Sequence, residues 1–134
     1  MNYNSELEIE FLGTGTSTGV PSIGCHCKVC RSKDKKDKRL RASAIVRYKG
    51  TNILIDCGPD FRQQILRASS DNLDALLLTH IHYDHVAGID DLRPYSLNHI
   101  FPIYARPEVN QQLRTNLPYC FTKHPYPGVP RLDL

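Results

Sequence analysis

Long apolar runs are missing from this sequence. The most continuous, Ala75-Leu76-Leu77-Leu78, falls far short of the roughly 20 residues that span a bilayer, so a transmembrane helix is excluded. The opening residues Met1-Asn2-Tyr3-Asn4-Ser5-Glu6 carry neither a basic n-region nor an apolar h-region, and a signal peptide is not expected. A large charge excess is missing too: 17 Lys+Arg against 14 Asp+Glu leave +3 over 134 residues, too little to point to nucleic acid or a membrane surface. Tryptophan is absent and methionine occurs once. There is no internal repeat and no low-complexity tract. With 40% hydrophobic and 23% charged residues, the composition is too apolar for disorder, and the length suits one domain.

An even, dispersed set of cysteines is also missing. There are five, Cys25, Cys27, Cys30, Cys57 and Cys120, and the first three fall within six positions. A secreted disulfide scaffold shows an even number spread along the chain. A thiolate metal site in a reducing, cytoplasmic compartment fits better. Cys57 and Cys120 read as small buried apolar residues.

Leu7, Ile9 and Phe11 alternate with polar neighbours up to Gly13, the pattern of a half-buried strand. Residues 13–24 form a loop rich in Gly, Thr and Ser. Gly13, Gly15 and Gly19 are spaced one residue too wide for G-x-G-x-x-G and no helical pattern follows, which argues against a dinucleotide fingerprint. Residues 31–41 are dense in charge and read as a solvated loop; the alternative is an anion-facing segment that neutralises a phosphate. Residues 44–48 and 51–56 read as a hairpin turning at Lys49-Gly50, with Asp56 where the second strand gives way to Cys57-Gly58-Pro59. Asp60 reads as the N-cap of a helix over 61–67. Residues 73–79 read as a short apolar strand buried on both faces. A helix opening at 86–92, a strand over 100–104, a helix over 108–116 and an irregular, proline-rich stretch over 118–130 complete the chain. Strands with interspersed helices argue for α/β or α+β.

The strongest chemical signal is Thr79-His80-Ile81-His82-Tyr83-Asp84-His85. In extended backbone, residues two apart point the same way, so His80 and His82 can reach one metal. Asp84 and His85 follow as the chain leaves the strand and can turn towards a second. Imidazole and carboxylate suit Zn, Mn or Fe. Two such ions lower the pKa of a shared water and clamp a phosphoryl or acyl oxygen. Surface or core histidines with local partners do not require this spacing.

His80-Ile81-His82-Tyr83-Asp84-His85 resembles the H-x-H-x-D-H motif of the metallo-β-lactamase superfamily. Phe11-Leu12-Gly13-Thr14-Gly15-Thr16-Ser17, Gly24-Cys25-His26-Cys27-Lys28-Val29-Cys30 and Ile55-Asp56-Cys57-Gly58-Pro59-Asp60 resemble the PhnP-like branch, the cyclic-phosphate phosphodiesterases. The resemblance implies an αβ/βα sandwich, of which residues 1–134 supply mainly the N-terminal sheet and its helices. It implies two divalent ions, Zn or Mn, on His80, His82, Asp84 and His85, with Asp56 orienting a ligand histidine or the water. It also implies a structural zinc on Cys25, Cys27 and Cys30, making 25–30 a zinc-binding loop with a fourth ligand from elsewhere. A redox role for Cys27-x-x-Cys30, ordinary unliganded cysteines, and His26 as the fourth ligand stay open. Arg41 or Arg93 is the candidate phosphate contact, against surface or structural ion-pair roles.

Enzymes of this family are about twice as long, and their later half supplies further metal ligands. No such motif is recognisable here: His99 follows too closely behind the histidine motif and His124 lies in the proline-rich stretch. One sheet without its partner leaves an apolar face, so pairing with an absent C-terminal half or with a second copy is expected. The leading function is metal-dependent hydrolysis of a small, cyclic phosphate ester by a dinuclear metal-bound hydroxide, with no membrane or nucleic-acid partner. The alternatives are a tRNA 3′-processing endonuclease of the same superfamily, and a metal-binding but catalytically incomplete half.

Overall fold

The computed structural model describes residues 6–69 and 71–134. Strand β1 (Glu8–Gly13) leads into a long loop carrying one helical turn, α1 (Lys28–Arg31). Strands β2 (Ser43–Tyr48) and β3 (Thr51–Ile55) form the expected hairpin. Its two-residue turn has φ of 49° at Lys49 and 82° at Gly50, the paired positive values that match the twist of the flanking strands. Helix α2 (Phe61–Arg67) then crosses to β4 (Ala75–Leu77). A single turn, α3 (Tyr83–Val86), and a 3-10 stretch, Ile89–Ser96, lead to β5 (Phe101–Tyr104). Helix α4 (Pro107–Asn116) and the two-residue strand β6 (Leu132–Asp133) follow. The sheet runs in sequence order, β1 to β6. The first three strands are antiparallel, and β4, β5 and β6 each join parallel to the strand before. The fold is mixed α/β.

Strand alternation sorts the side chains into two rows. Ile45, Leu54, Leu76 and Ile103 lie opposite one another across β2 to β5, and all are at most 3% exposed. They form the core with Phe61 and Ile65 of α2, Ile89 and Leu92 of the 3-10 stretch, and Val109 and Leu113 of α4. The next row, Phe11, Ala44, Ile55, Leu77 and Tyr104, points to the other side. There Phe11 is 71%, Leu77 41% and Tyr104 62% exposed. Helices therefore cover one face of the sheet and leave an apolar one open. The expectation that 73–79 is buried on both faces needs correction: the strand is shorter and Leu77 stands on the open side. Likewise the apolar alternation of β1, Leu7, Ile9 and Phe11, faces outward.

Two local expectations change. Asp60 sits at the start of α2 but does not cap it; its carboxylate accepts from the Arg41 N–H and from Arg41 Nη1, each at 2.9 Å. The helix expected over 86–92 is split into α3 and the 3-10 stretch. Pro94 lies inside that stretch, where its missing N–H and its ring oppose a continued α-helix. Among the described residues no helix is long and apolar enough to cross a membrane.

Candidate metal centre

The histidine motif hangs from the C-terminal end of β4, beside the end of β3. Past a bend at Thr79 the chain reaches His82, which stands extended at the N-terminus of α3 with φ −61° and ψ 150°. The His80 and His82 rings lie 4.6 Å apart, as expected for alternate residues of an extended segment. The turn of α3 then carries His85 back, with its ring 4.0 Å from that of His80. Asp84 Oδ2 is 3.0 Å from His85 Nε2. The structure thus gathers His80, His82, Asp84 and His85.

Asp56 closes β3 beneath them. It is 5% exposed and adopts φ 58°, a left-handed conformation uncommon outside glycine but tolerated by aspartate. Three contacts hold the backbone there: its N–H donates to Leu77 O at 3.0 Å, and the Ser43 hydroxyl donates to Asp56 O at 2.9 Å and Ile55 O at 3.0 Å. Its carboxylate accepts from the Thr79 N–H at 2.8 Å, the Thr79 hydroxyl at 2.7 Å and His85 Nδ1 at 2.7 Å. With its proton on Nδ1, a neutral His85 presents the Nε2 lone pair to the Asp84 carboxylate. Two electron-pair donors facing each other at 3.0 Å suit a shared cation, so this donor set fits a divalent metal.

Close backbone approach locks α3 in place. Cys57 N–H donates to His85 O at 2.8 Å, and Gly88 N–H to Cys57 O at 2.9 Å. A Cβ on Gly58 would lie 2.0 Å from Asp84 O. Gly58 reads as a turn residue, whereas its side-chain-free contact with α3 depends on a segment far along the chain. Ile81 and Tyr83 line a separate cavity of about 340 Å³, with Val86, Leu113, Leu117 and Tyr119.

The cysteine loop forms a second cluster. One sulfur from each of Cys25, Cys27 and Cys30 lies within 4.8 Å of the others, and among the described residues theirs is the one trio of potential ligands that converges so closely. The histidine motif, by contrast, does not bring three ligand atoms within that distance of one another. Cys27 stands at the N-terminus of α1, and its sulfur accepts from Cys30 N–H at 3.5 Å. That bond, with others from the Cys25 and Cys30 thiols, brings the Cys27 thiol down to about 7. At Cys30 a bond from the Ser22 backbone lowers the thiol, but the Cys25 and Cys27 sulfurs and desolvation outweigh it and push it up. Three clustered thiols competing for protons suit a zinc ion, which ionises its thiol ligands. Cys57 and Cys120 are buried, and burial pushes the Cys57 thiol well up and that of Cys120 to about 11.

The bonds of the two candidate phosphate contacts run elsewhere. Arg41 is held by Asp60 and by Ser17 O. Arg93 Nε donates to Asp90 O at 3.0 Å, and the side chain lines a cavity of about 690 Å³ between α2 and the 3-10 stretch. The sequence pattern assigns Thr79 no role beyond closing the strand. A hydroxyl immediately before a candidate ligand histidine is the available signal.

Residues 51–134 match the family described as "Beta-lactamase superfamily domain". The chain belongs to this superfamily. Within it, the chain is similar to a diphosphatase of the PhnP family, at 44% identity and a TM-score of 0.80 over 85% of this chain and 47% of that one. This agrees with the PhnP-like branch expected from the motifs. The chain is also similar to zinc-bound PqqB from Methylobacterium extorquens, at 26% identity and a TM-score of 0.75 over 96% of this chain and 48% of that one. A protein of Porphyromonas gingivalis (strain ATCC BAA-308 / W83), named octanoyltransferase, is 56% identical over 92% of this chain and 25% of its own length. The chain thus spans about half of these solved relatives and a quarter of that curated one.

Proposed function

We propose that the chain contributes the metal-binding half of a phosphodiesterase acting on a small, cyclic phosphate ester. The observation that carries this is the gathering of His80, His82, Asp84 and His85 over a buried Asp56. The similarity to a PhnP-family diphosphatase supports the choice of a phosphate ester. Divalent ions held there, zinc or manganese, would make water more acidic and polarise a phosphoryl oxygen. His80 and His82 serve one ion, and Asp84 and His85 the other. Asp56 presents His85 in the ligating tautomer and excludes solvent from beneath the site. Cys25, Cys27 and Cys30 hold a separate structural zinc in the loop 25–30. A cytoplasmic setting suits these free thiols.

The open sheet face is where a second apolar layer packs, and the further ligands come with it. We assign that layer to polypeptide beyond these 134 residues, because the solved relatives are about twice as long. Catalytic zinc ordinarily has three protein ligands, and here each ion has two. The isolated chain is therefore expected to bind metal and turn over little.

Elemental analysis of the chain after zinc or manganese loading, with turnover of bis-p-nitrophenyl phosphate and of precursor tRNA by chain and parent protein, tests this. Metal in the chain and diester hydrolysis by the parent are expected. Exclusive cleavage of precursor tRNA would favour the endonuclease reading. Failure to retain metal would overturn the proposal, and brisk turnover by the isolated chain would overturn the incomplete-site reading.

A further inference from the structure

We infer that Thr79 is a positioning residue whose hydroxyl extends the orienting action of Asp56 from His85 to His80. The inference rests on reading His80, His82, Asp84 and His85 as metal ligands. It follows from counting protons around one buried carboxylate.

The Asp56 carboxylate can only accept. Thr79 Oγ1 lies 2.7 Å from Asp56 Oδ2, so its single hydroxyl proton is committed there. The same oxygen lies 2.9 Å from His80 Nδ1. With its proton spent, Oγ1 has lone pairs alone to offer, and His80 must carry a proton on Nδ1. Its Nε2 is left with a free lone pair directed away from Thr79. His85 obeys the same rule directly, since its Nδ1 donates to the same Oδ2 at 2.7 Å. One carboxylate oxygen thus sets the tautomer of two imidazoles, one by contact and one through a hydroxyl. Free histidine in water favours the opposite tautomer, so the hydroxyl changes what His80 presents. Thr79 is itself fixed at two points, because its N–H donates to Asp56 Oδ1 at 2.8 Å. Ring orientation and tautomer are therefore set before any ion arrives, the arrangement that raises metal affinity when ligands are held by outer partners.

The test compares the chain with Thr79→Ser, which keeps the hydroxyl, and Thr79→Val, which keeps the shape without it. Long-range proton–nitrogen NMR of the metal-free, ¹⁵N-labelled proteins reads each imidazole tautomer directly. His80 is expected with its proton on Nδ1 in the parent sequence and in Thr79→Ser, and shifted towards Nε2 in Thr79→Val. His85 should keep its Nδ1 proton in all three, reporting an intact Asp56 and an intact fold. Zinc affinity, measured against a competing chelator, should fall about tenfold in Thr79→Val and recover in Thr79→Ser. A His80 proton on Nε2 in the parent, or an unchanged tautomer and affinity in Thr79→Val, would overturn the inference. If Thr79→Val does not fold, Thr79→Ala takes its place, and the parent tautomer remains decisive. Absence of zinc binding in the parent would sink the metal reading alone, with the tautomers still judging the relay.

Discussion

Asp56 and Glu10 show how much one carboxylate can organise. Removing the Asp56 charge in Asp56→Asn should weaken zinc binding at the histidine motif about 10- to 100-fold, read by chelator competition, because His85 loses its charged partner and one of the two oxygens that serve three donors becomes an NH2 group. Glu10 is bonded by the Ser69 N–H and hydroxyl and by Arg47, which also pairs with Glu8. Burial alone pushes its carboxyl up, but the Ser69 bonds and the Arg47 guanidinium outweigh this and hold it below the ordinary glutamate value. A lowered folded-state pKa means stabilisation that is present above the unfolded value and lost as pH falls through the folded one. Glu10→Gln should therefore cost about 1 kcal/mol in urea unfolding at pH 7, with screening limiting the figure, and nothing measurable near pH 2. The closeness of His80 and His82 could be read from spacing because extended backbone places alternate residues together. The role of Thr79 could not, because it depends on a carboxylate from another strand.

Among the elements, α3 is the one whose position matters most for chemistry. A single turn has little stability of its own, so neighbours must hold it. The hydrogen bonds between Cys57 and His85 and between Gly88 and Cys57 do this, and Gly58 permits the approach. Gly58→Ala should cost about 3 kcal/mol in thermal or urea unfolding, and should weaken zinc binding by displacing Asp84 and His85. In the cysteine loop, Cys27→Ser should lower zinc content by one ion per chain while leaving the histidine-bound metal in place, as elemental analysis would show. Strand and helix positions were largely legible, since the hairpin and α2 follow local pattern and turn chemistry. The ends of β4, the break at Ala87-Gly88 between α3 and the 3-10 stretch, and the short β6 were not, because sheet pairing and packing set them. Asp60 had the local character of a cap, but Arg41 offered it an ion pair.

For the molecule as a whole, the open sheet face is the dominant feature. Phe11, Leu77 and Tyr104 form an exposed apolar row that is costly to leave in water. The isolated chain should self-associate at high concentration. Replacing Phe11 and Tyr104 together by serine should shift its light-scattering mass towards the monomer without changing its circular dichroism. A defined dimer abolished by the double substitution would point to a second copy on this face. An unaltered monomer at every concentration would contradict the idea that a second layer belongs there.

Local order along the chain was enough to establish the candidate ligand types, their spacing and the alternation of the strands, because those depend on residues two to five positions apart. The open side of the sheet, the pairing of Asp60 with Arg41, and the bridge from Asp56 through Thr79 to His80 came from folding. Each joins groups brought together by strand register and by backbones in close contact, which no local pattern of residue types encodes.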